Sequence, residues 1–368
     1  MSVKRIIIAS VLKPVDDPRM YYKMARSLSK TEGVTVTVIG SEGKIREKNN
    51  IAMVPLFRFN RADILRRVLA PWKFLFFVLK QKPALLIVCT HELLLPGLFV
   101  KLFCRTRLIY DIRENYKLNI LHTGAFPFFL RNILSIWVRT GEVCLAPFID
   151  HFFLAEEIYK HQLPFVGSRY SILENKCLKI KTQTVPRDTG SSFLFSGTLA
   201  EETGVFRCLA FMDRVVREDE GATLTIIGYC PQDGVFRRLK EKALKRPWVS
   251  LKIRNRALSY EEILGAIRQA DVGVICYLPL LHTREKNPTK LFEYIGHRLP
   301  VIVEGTHTGK GLLDRYDAGV VIEDLLTCKI PDILDRLREG GFYAEGIGEE
   351  VYWGSEEEKI KKIINYKL

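Results

Sequence analysis

Along the chain, short runs of adjacent apolar and largely β-branched residues alternate with longer stretches in which apolar residues recur at helical spacing. RIIIASV (5–11), VTVTVIG (34–40), LLIVCT (85–90) and RLIYDI (107–112) have the length and composition of strands, and the helical patterns RMYYKMARSLSK (19–30) and LLLPGLFVKLF (93–103) stand between them. Strands that are apolar almost throughout, instead of at every second residue, suit a parallel sheet covered on both faces. A polar stretch with Pro, Gly and Ser, KIKTQTVPRDTGSS (179–192), then interrupts the pattern as a linker or loop. Beyond it SFLFSG (192–197), TLTIIG (223–228), VSLKI (249–253), DVGVIC (271–276), LPVIV (299–303) and GVVIE (319–323) alternate with helical segments, including Val205 to about Val216 and YEEILGAIRQA (260–270). The restart predicts two α/β lobes of similar size, 1–178 and 179–351, each a Rossmann-like, doubly wound parallel sheet, facing each other across a central cleft. The closing EEEKIKKIINYKL, within about 352–368, reads as an amphipathic helix with Ile360, Ile363 and Ile364 on one face, expected to pack back on the first lobe.

Composition narrows the picture in three respects. A chain of 368 residues is longer than one core comfortably fills, which agrees with two domains. Eight cysteines at 89, 104, 144, 177, 208, 230, 276 and 328 are scattered singly with no zinc-type spacing, and suit buried thiols of a cytoplasmic protein. The most apolar stretch, ALLIVCTHELLLPGLFVKLF from Ala84, is interrupted by His91, Glu92, Pro96 and Lys101, so no membrane-spanning helix is expected. The opening MSVKRIIIASVLKP is too short in its apolar part for a secretion signal and reads as the first strand. The net charge of +14 points to an anionic partner without choosing among nucleotide phosphates, nucleic acid and an acidic membrane.

The segment that carries chemistry is EKNPTKLFEYIGHRLPVIVEG (285–305), with one carboxylate in a loop and a second on a helix. The first turn of a helix presents unpaired N–H groups and the positive end of the helix dipole, a favourable place for phosphate oxygens. Asn287 and Thr289 are placed to start the helix, with Pro288 in its first turn. The amides around Thr289, Lys290 and Leu291 could cradle a diphosphate, with Lys290 adding charge. Glu285 and Glu293 flank this place, and a carboxylate accepts two hydrogen bonds from a sugar diol. One acid would serve a transferred hexose and the other a ribose.

Glu-x7-Glu embedded in NPTKLFEY and followed by LPVI resembles the donor-site signature of the retaining GT-B glycosyltransferases of family 4 (group 1). The likeness extends to DDPRMYYKMARSL (16–28), THELLLPG (90–97), YDIREN (110–115) and FLFSGTL (193–199), in the family's order. It implies a GT-B enzyme that transfers a hexose-type sugar from a nucleoside diphosphate sugar, with retention, to a glycan or lipid-linked acceptor in cell-surface polysaccharide biosynthesis. Under this resemblance Glu285 and His91 are the catalytic candidates. Gly197, Thr198, Arg254, Asn287, Thr289, Lys290, Leu291 and Glu293 would bind the donor, and Asp17, Arg19, Asp111 and Glu114 the acceptor. No metal or other cofactor is implied, since the helix terminus and basic residues neutralise the leaving diphosphate. The leaving phosphate is then expected to help deprotonate the acceptor hydroxyl on the front face.

Three residues depart from the pattern. Thr203, in AEETG, stands where the family carries a lysine, leaving Lys290 or Arg254 as substitutes; Arg113 replaces the histidine of Tyr-Asp-Val-His-Glu; and Arg298 replaces a glycine at a helix end, where a left-handed residue is usual. These departures keep a catalytically silent nucleotide-sugar-binding protein open, and a nucleotide-sugar 2-epimerase shares the two-lobe fold. His91 suits a cleft histidine or a core group, and Asp111 and Glu114 suit acceptor binding or pairing with Arg107 or Arg113. RADILRRVLAPWKFLFFVLKQK (61–82) mixes basic and aromatic residues, and fits both an interfacial helix on anionic lipid at the inner face of the plasma membrane and a helix packed on its own sheet. Nothing in it matches a nucleic-acid-binding module.

Overall fold

The computed structural model describes residues 3–44, 50–57, 64–122, 127–179, 191–254, 258–278, 287–305 and 309–365. Two compact units emerge, one of 1–175 with 355–368 and one of 176–354. Glu285, Arg61 and most of the 179–192 stretch lie outside the described residues.

The first unit is a parallel sheet of strands β1 (Lys4–Pro14), β2 (Val34–Ser41), β3 (Ile51–Phe57), β4 (Leu85–Val88), β5 (Arg107–Ile112), β6 (His151–Leu154) and β7 (Tyr170–Ile172), in the order β3-β2-β1-β4-β5-β6-β7. Its helices are α1 (Arg26–Leu28), which continues a π-helical turn at Pro18–Ala25, then α2 (Ile64–Gln81), α3 (Leu94–Cys104), α4 (Tyr116–His122), α5 (Phe128–Leu145) and α6 (Tyr159–Gln162). The apolar runs of β1, β4 and β5 are buried on both faces: Ile7, Leu86 and Leu108 meet the core beneath α2 and α3, while Ile6, Ile8 and Ile87, pointing the other way, are equally buried. α2 runs through Pro71 and turns Ala70, Phe74, Leu75 and Val78 inward, a stripe that the interleaved basic residues conceal in the sequence.

The second unit holds β8 (Ser192–Thr198), β9 (Thr223–Tyr229), β10 (Val249–Arg254), β11 (Val272–Ile275), β12 (Val301–Glu304) and β13 (Gly319–Ile322), parallel and ordered β10-β9-β8-β11-β12-β13. Helices α7 (Val205–Glu218), α8 (Asp233–Leu244), α9 (Tyr260–Gln269), α10 (Thr289–Gly296), α11 (Lys310–Tyr316) and α12 (Ile330–Glu339) cover it. Phe193, Phe195, Val272 and Val274 pack in one core with α7 and α12, and the alternating Leu194, Ile275, Val301 and Val303 in another with α9 and α10. The last helix, α13 (Gly354–Asn365), returns to the first unit: Glu357 pairs with Lys30 at 2.7 Å, Lys359 donates to the Ile172 carbonyl at 3.2 Å, and Ile360 is fully buried.

In each sheet the winding direction reverses between two central strands, β1 and β4 in the first and β8 and β11 in the second. Chains leaving neighbouring strands at such a point diverge to opposite faces, and the opening between them is where doubly wound sheets bind ligands.

Candidate functional site

In the second unit this opening is bounded by the end of β8, the end of β11 and the start of α10. The backbone turns at Gly197 with φ of 106°, a conformation that favours glycine, and a Cβ there would lie 4.0 Å from the Lys290 side chain. Thr198, next along, is exposed. Ser196 and Tyr294 tie β8 to α10 through a 2.8 Å hydroxyl contact. α10 begins at Thr289 with Pro288 as its N-cap, so the proline precedes the first turn and Asn287 lies one residue further out than the sequence suggests. The shift follows from the extended backbone of Pro288 (ψ 142°), which is not yet helical. Leu291 at the third helical position is wholly buried in the core and donates its N–H to the Pro288 carbonyl at 2.8 Å. It contributes packing and, at most, backbone.

Lys290 is the feature of this opening that sequence spacing could not reveal. Its ammonium is buried, lies 4.3 Å from the centre of the Phe195 ring and 4.9 Å from that of Tyr277, and meets no hydrogen-bond acceptor among the described residues. Burial lowers its pKa from 10.5 to about 8. Two ring faces stabilise the cation in part, but an ammonium with no acceptor among the described residues is costly to keep dry. Phe195 lies in β8 and Tyr277 just beyond the end of β11, and the parallel pairing of β8 with β11 brings them around one lysine.

Glu293 is buried one turn into α10, where both its oxygens stand 2.9 Å from the Tyr260 hydroxyl. It is not an exposed helix acid. A carboxylate has about four lone-pair positions, so one hydroxyl does not exhaust the accepting capacity of Glu293. Tyr260 is positioned by a capping box in which Ser259 and Glu262 close the first turn of α9, a device visible in the sequence as S-x-x-E although its link to Glu293 was not. Burial first, and the Glu293 charge second, push the Tyr260 phenol well above its ordinary pKa, so it remains a donor.

The other donor candidates fall differently. Arg254 ends edge strand β10, two strands from β8, and its guanidinium pairs with Glu262 at 2.9 Å, away from the opening at β8 and β11. The Thr203 hydroxyl accepts from the Ala200 N–H at 3.0 Å and donates to the Ala200 carbonyl at 2.9 Å, closing its own turn instead of offering charge. Gly204 follows at φ 79°, with Cys276 so close that a Cβ would stand 1.7 Å from its carbonyl oxygen. That contact fixes how the β8 loop meets the end of β11.

In the first unit the corresponding opening collects Asp17, Arg113, Asp111, Arg19 and His91. Asp17 caps the π-helical turn, accepting from the N–H groups of Arg19 at 3.1 Å and Met20 at 3.0 Å, and is ion-paired with Arg113. Burial raises its carboxyl pKa, but Arg113, together with Lys13 and the Met20 N–H, more than compensates and holds it at about 2. Asp111 is fully buried and accepts from Arg19 at both oxygens, from Nε at 2.9 and 3.2 Å and from Nη2 at 2.6 Å, with Arg113 Nε 3.5 Å away. Asp111 and Arg19 are therefore engaged with each other, the pairing weighed against acceptor binding from the sequence, although the partner is Arg19 from the first loop as well as Arg113. Glu114 is half-buried and accepts from Asn119. Arg113 itself was visible only as a missing histidine, yet it links Asp17 to Asp111. His91 begins a short 3-10 turn after β4, its ring 4.8 Å from that of Tyr116 and its Nδ1 3.5 Å from Glu92. Burial lowers its pKa, so the imidazole is neutral near pH 7.

Among the described residues one cluster has the chemistry of a cation site: ligand atoms of Cys177, Glu293 and His297 lie within 4.8 Å of one another, all buried. Here each is engaged internally, the thiol donating to the Leu178 carbonyl at 3.3 Å and His297 Nδ1 lying 2.7 Å from the Glu293 carbonyl. The trio thus braces the end of α10.

No known family profile matches the chain, and no curated protein sequence matches it. Solved structures do. A sucrose-phosphate synthase from Thermosynechococcus elongatus superposes with a TM-score of 0.68 at 12% identity, covering 99% of this chain and 98% of that one. The Anabaena protein HepE, solved in complex with UDP-glucose, gives 0.65 at 13% identity over 98% and 99%. WaaG, a glycosyltransferase involved in lipopolysaccharide biosynthesis, gives 0.63 at 15% identity over 98% and 99%. At such identities the likeness establishes the GT-B fold.

Proposed function

We propose that the protein is a glycosyltransferase that takes a hexose-type sugar from a nucleoside diphosphate sugar and transfers it with retention to a glycan or lipid-linked acceptor in cell-surface polysaccharide synthesis. The observation that carries the reading is Lys290: a buried ammonium lacking an acceptor among the described residues, beside Gly197 and the first turn of α10, where the sheet opens. Support also comes from solved structures of the same fold, one of them holding UDP-glucose.

In this reading the diphosphate lies against the amides at the start of α10, and Lys290 supplies the charge that Thr203 does not. Glu293, kept in place by Tyr260, accepts from the ribose hydroxyls. As the glycosidic C–O bond breaks, negative charge grows on the leaving phosphate, and Lys290 and the helix terminus meet it without a metal ion. That phosphate then takes the proton of the attacking acceptor hydroxyl on the same face of the sugar. Glu285 is proposed to contact the hexose. In the first unit, neutral His91 and the Asp17–Arg113 pair are proposed to line the acceptor side.

The test has two parts. Calorimetry with UDP, GDP, ADP and CDP should find one that binds, and Glu293→Ala should weaken it by about tenfold, the loss of a good hydrogen bond to a charged group. With the matching nucleotide sugar and an acceptor, NMR of the first product should show the donor's anomeric configuration. An inverted product would rule out retention, and binding indifferent to Glu293 would remove the donor site.

A further inference from the structure

The first unit displays an apolar surface that the chain does not cover. Of 19 large hydrophobic side chains exposed among the described residues, 15 belong to α2, α3, α5 and the turn that follows α5. These helices lie on one face of the sheet and share one core cluster beneath them. The pattern is clearest on α5. Phe129, Ile133, Ile136 and Trp137, at helical spacing, form an outward stripe, with Trp137 69% exposed. The inward positions are Ser135, Val138 and Glu142, the last accepting from the Tyr110 hydroxyl at 2.9 Å. A helix serving only to cover a sheet turns its large apolar side chains inward and its polar ones outward; α5 does the reverse. Phe103 on α3 (73% exposed) and Phe76 on α2 (66% exposed) extend the surface.

Charge identifies what covers it. The sequences of α2, α3 and α5 contain seven Lys or Arg and a single acid, Glu142, which is buried. Arg67, Lys101 and Arg139 pair with Glu92 at 2.8 Å, Asp150 at 2.6 Å and Glu142 at 3.1 Å, so Arg66, Lys73, Lys80 and Arg131 are the excess of positive charge these helices carry. A second copy of the chain would set cations against cations across a symmetric contact. We infer that the outward face of α2, α3 and α5 is a docking surface for an anionic lipid bilayer, the aromatic and aliphatic side chains entering the interface and the basic ones meeting lipid phosphates.

Basic residues with Trp and Phe on helices lying in the plane of the surface are the pattern of interfacial binding, and attraction to anionic lipid adds with each cation. The structure thereby widens what the sequence suggested for 61–82 alone: α2 is one flank, its inner side being packed on the sheet, and α5 supplies the largest share of the exposed apolar residues. None of its members belongs to the proposed donor site, so the lipid surface and the transfer reading stand or fall separately.

The experiment is co-flotation of the full chain with vesicles of phosphatidylcholine, with and without phosphatidylglycerol, at low and high salt. The wild type should float with the anionic vesicles, much less with the neutral ones, and less again in high salt. The exposed-residue triple variant Phe129→Ser, Ile133→Ser, Trp137→Ser, with an unchanged circular dichroism spectrum, should reduce the bound fraction by about tenfold. Brominated lipid should quench the emission of a variant that keeps Trp137 as its single tryptophan. Absence of flotation, flotation equal in the triple variant, or unquenched Trp137 would overturn the inference. So would a wild-type dimer that the triple variant abolishes with no vesicle binding, which would make the occupant a second copy.

Discussion

Lys290 and Arg298 are two residues at which the chain accepts a conformational or electrostatic cost, and the costs have different meanings. A lysine whose pKa is lowered by burial from 10.5 to about 8 destabilises the folded state below pH 8, where it is charged both folded and unfolded; the cost lessens as the pH rises through that window and the folded state sheds its proton. At pH 7, Lys290→Met should therefore stabilise the protein, by on the order of 2 kcal/mol from the size of the shift less what the rings return. The gain should shrink between pH 8 and 10, as urea unfolding at several pH values would reveal. A stability gain joined to a loss of ligand binding marks a functional residue, whereas a packing residue would lose stability. Arg298, exposed after α10, has φ 53°. Arg298→Gly should stabilise by about 1 kcal/mol or somewhat less, since glycine enters that region freely but gains freedom in the unfolded chain. Denaturant midpoints would measure it, and an unchanged or lower midpoint would mean that the arginine contributes something local. The left-handed turn at Arg298 was legible from the sequence, because only the glycine was missing from an otherwise familiar helix end. The setting of Lys290 was not, because it depends on rings that lie 95 and 13 positions away in the chain.

At the scale of elements, the approach of α7 to the end of β11 depends on Gly204. A Cβ would meet the Cys276 carbonyl at 1.7 Å, and backbone cannot retreat as a side chain can. Gly204→Ala should cost several kcal/mol, combining this clash with a strained φ of 79°, and should lower the thermal midpoint well beyond the effect of Gly221→Ala, at a glycine without positive φ or a close backbone contact. The strands and most helices were readable in advance because their apolar runs are long and regular: the pattern places a helix at Val205 to about Val216, and α7 spans Val205–Glu218. α5 was not singled out at all. Its apolar residues face outward, so a reading that equates apolar positions with core has no place for them, and only the exposure of Ile133 and Trp137 in the folded chain reveals the inversion.

At the scale of the whole molecule, acid stability should follow the first unit's buried ion network. Asp17, with its pKa lowered from 3.8 to about 2, contributes about 2 kcal/mol that is fully present above pH 4 and lost as the pH falls toward 2. Asp17→Asn should remove most of that dependence while leaving Arg113 and Arg19 to face Asp111 with an excess of positive charge; acid titration followed by circular dichroism would show it. Two doubly wound sheets were legible from the alternation of apolar runs, whereas the GT-B fold was implied by the family resemblance and is matched by the solved structures. Of the candidate site, the segment bearing Lys290 and Glu293 was recognisable in the sequence, while the pairing of Asp111 with Arg19, 92 positions apart, was a matter of three-dimensional proximity. The central claim is that Lys290 receives the diphosphate of a nucleotide sugar. Its most direct test is calorimetric titration of the nucleoside diphosphate that binds the wild type into Lys290→Met at pH 7, with the fold checked by its unfolding midpoint. The account predicts affinity reduced by at least about tenfold in a variant that is as stable as the wild type or more so. Unchanged affinity in a folded variant would contradict it.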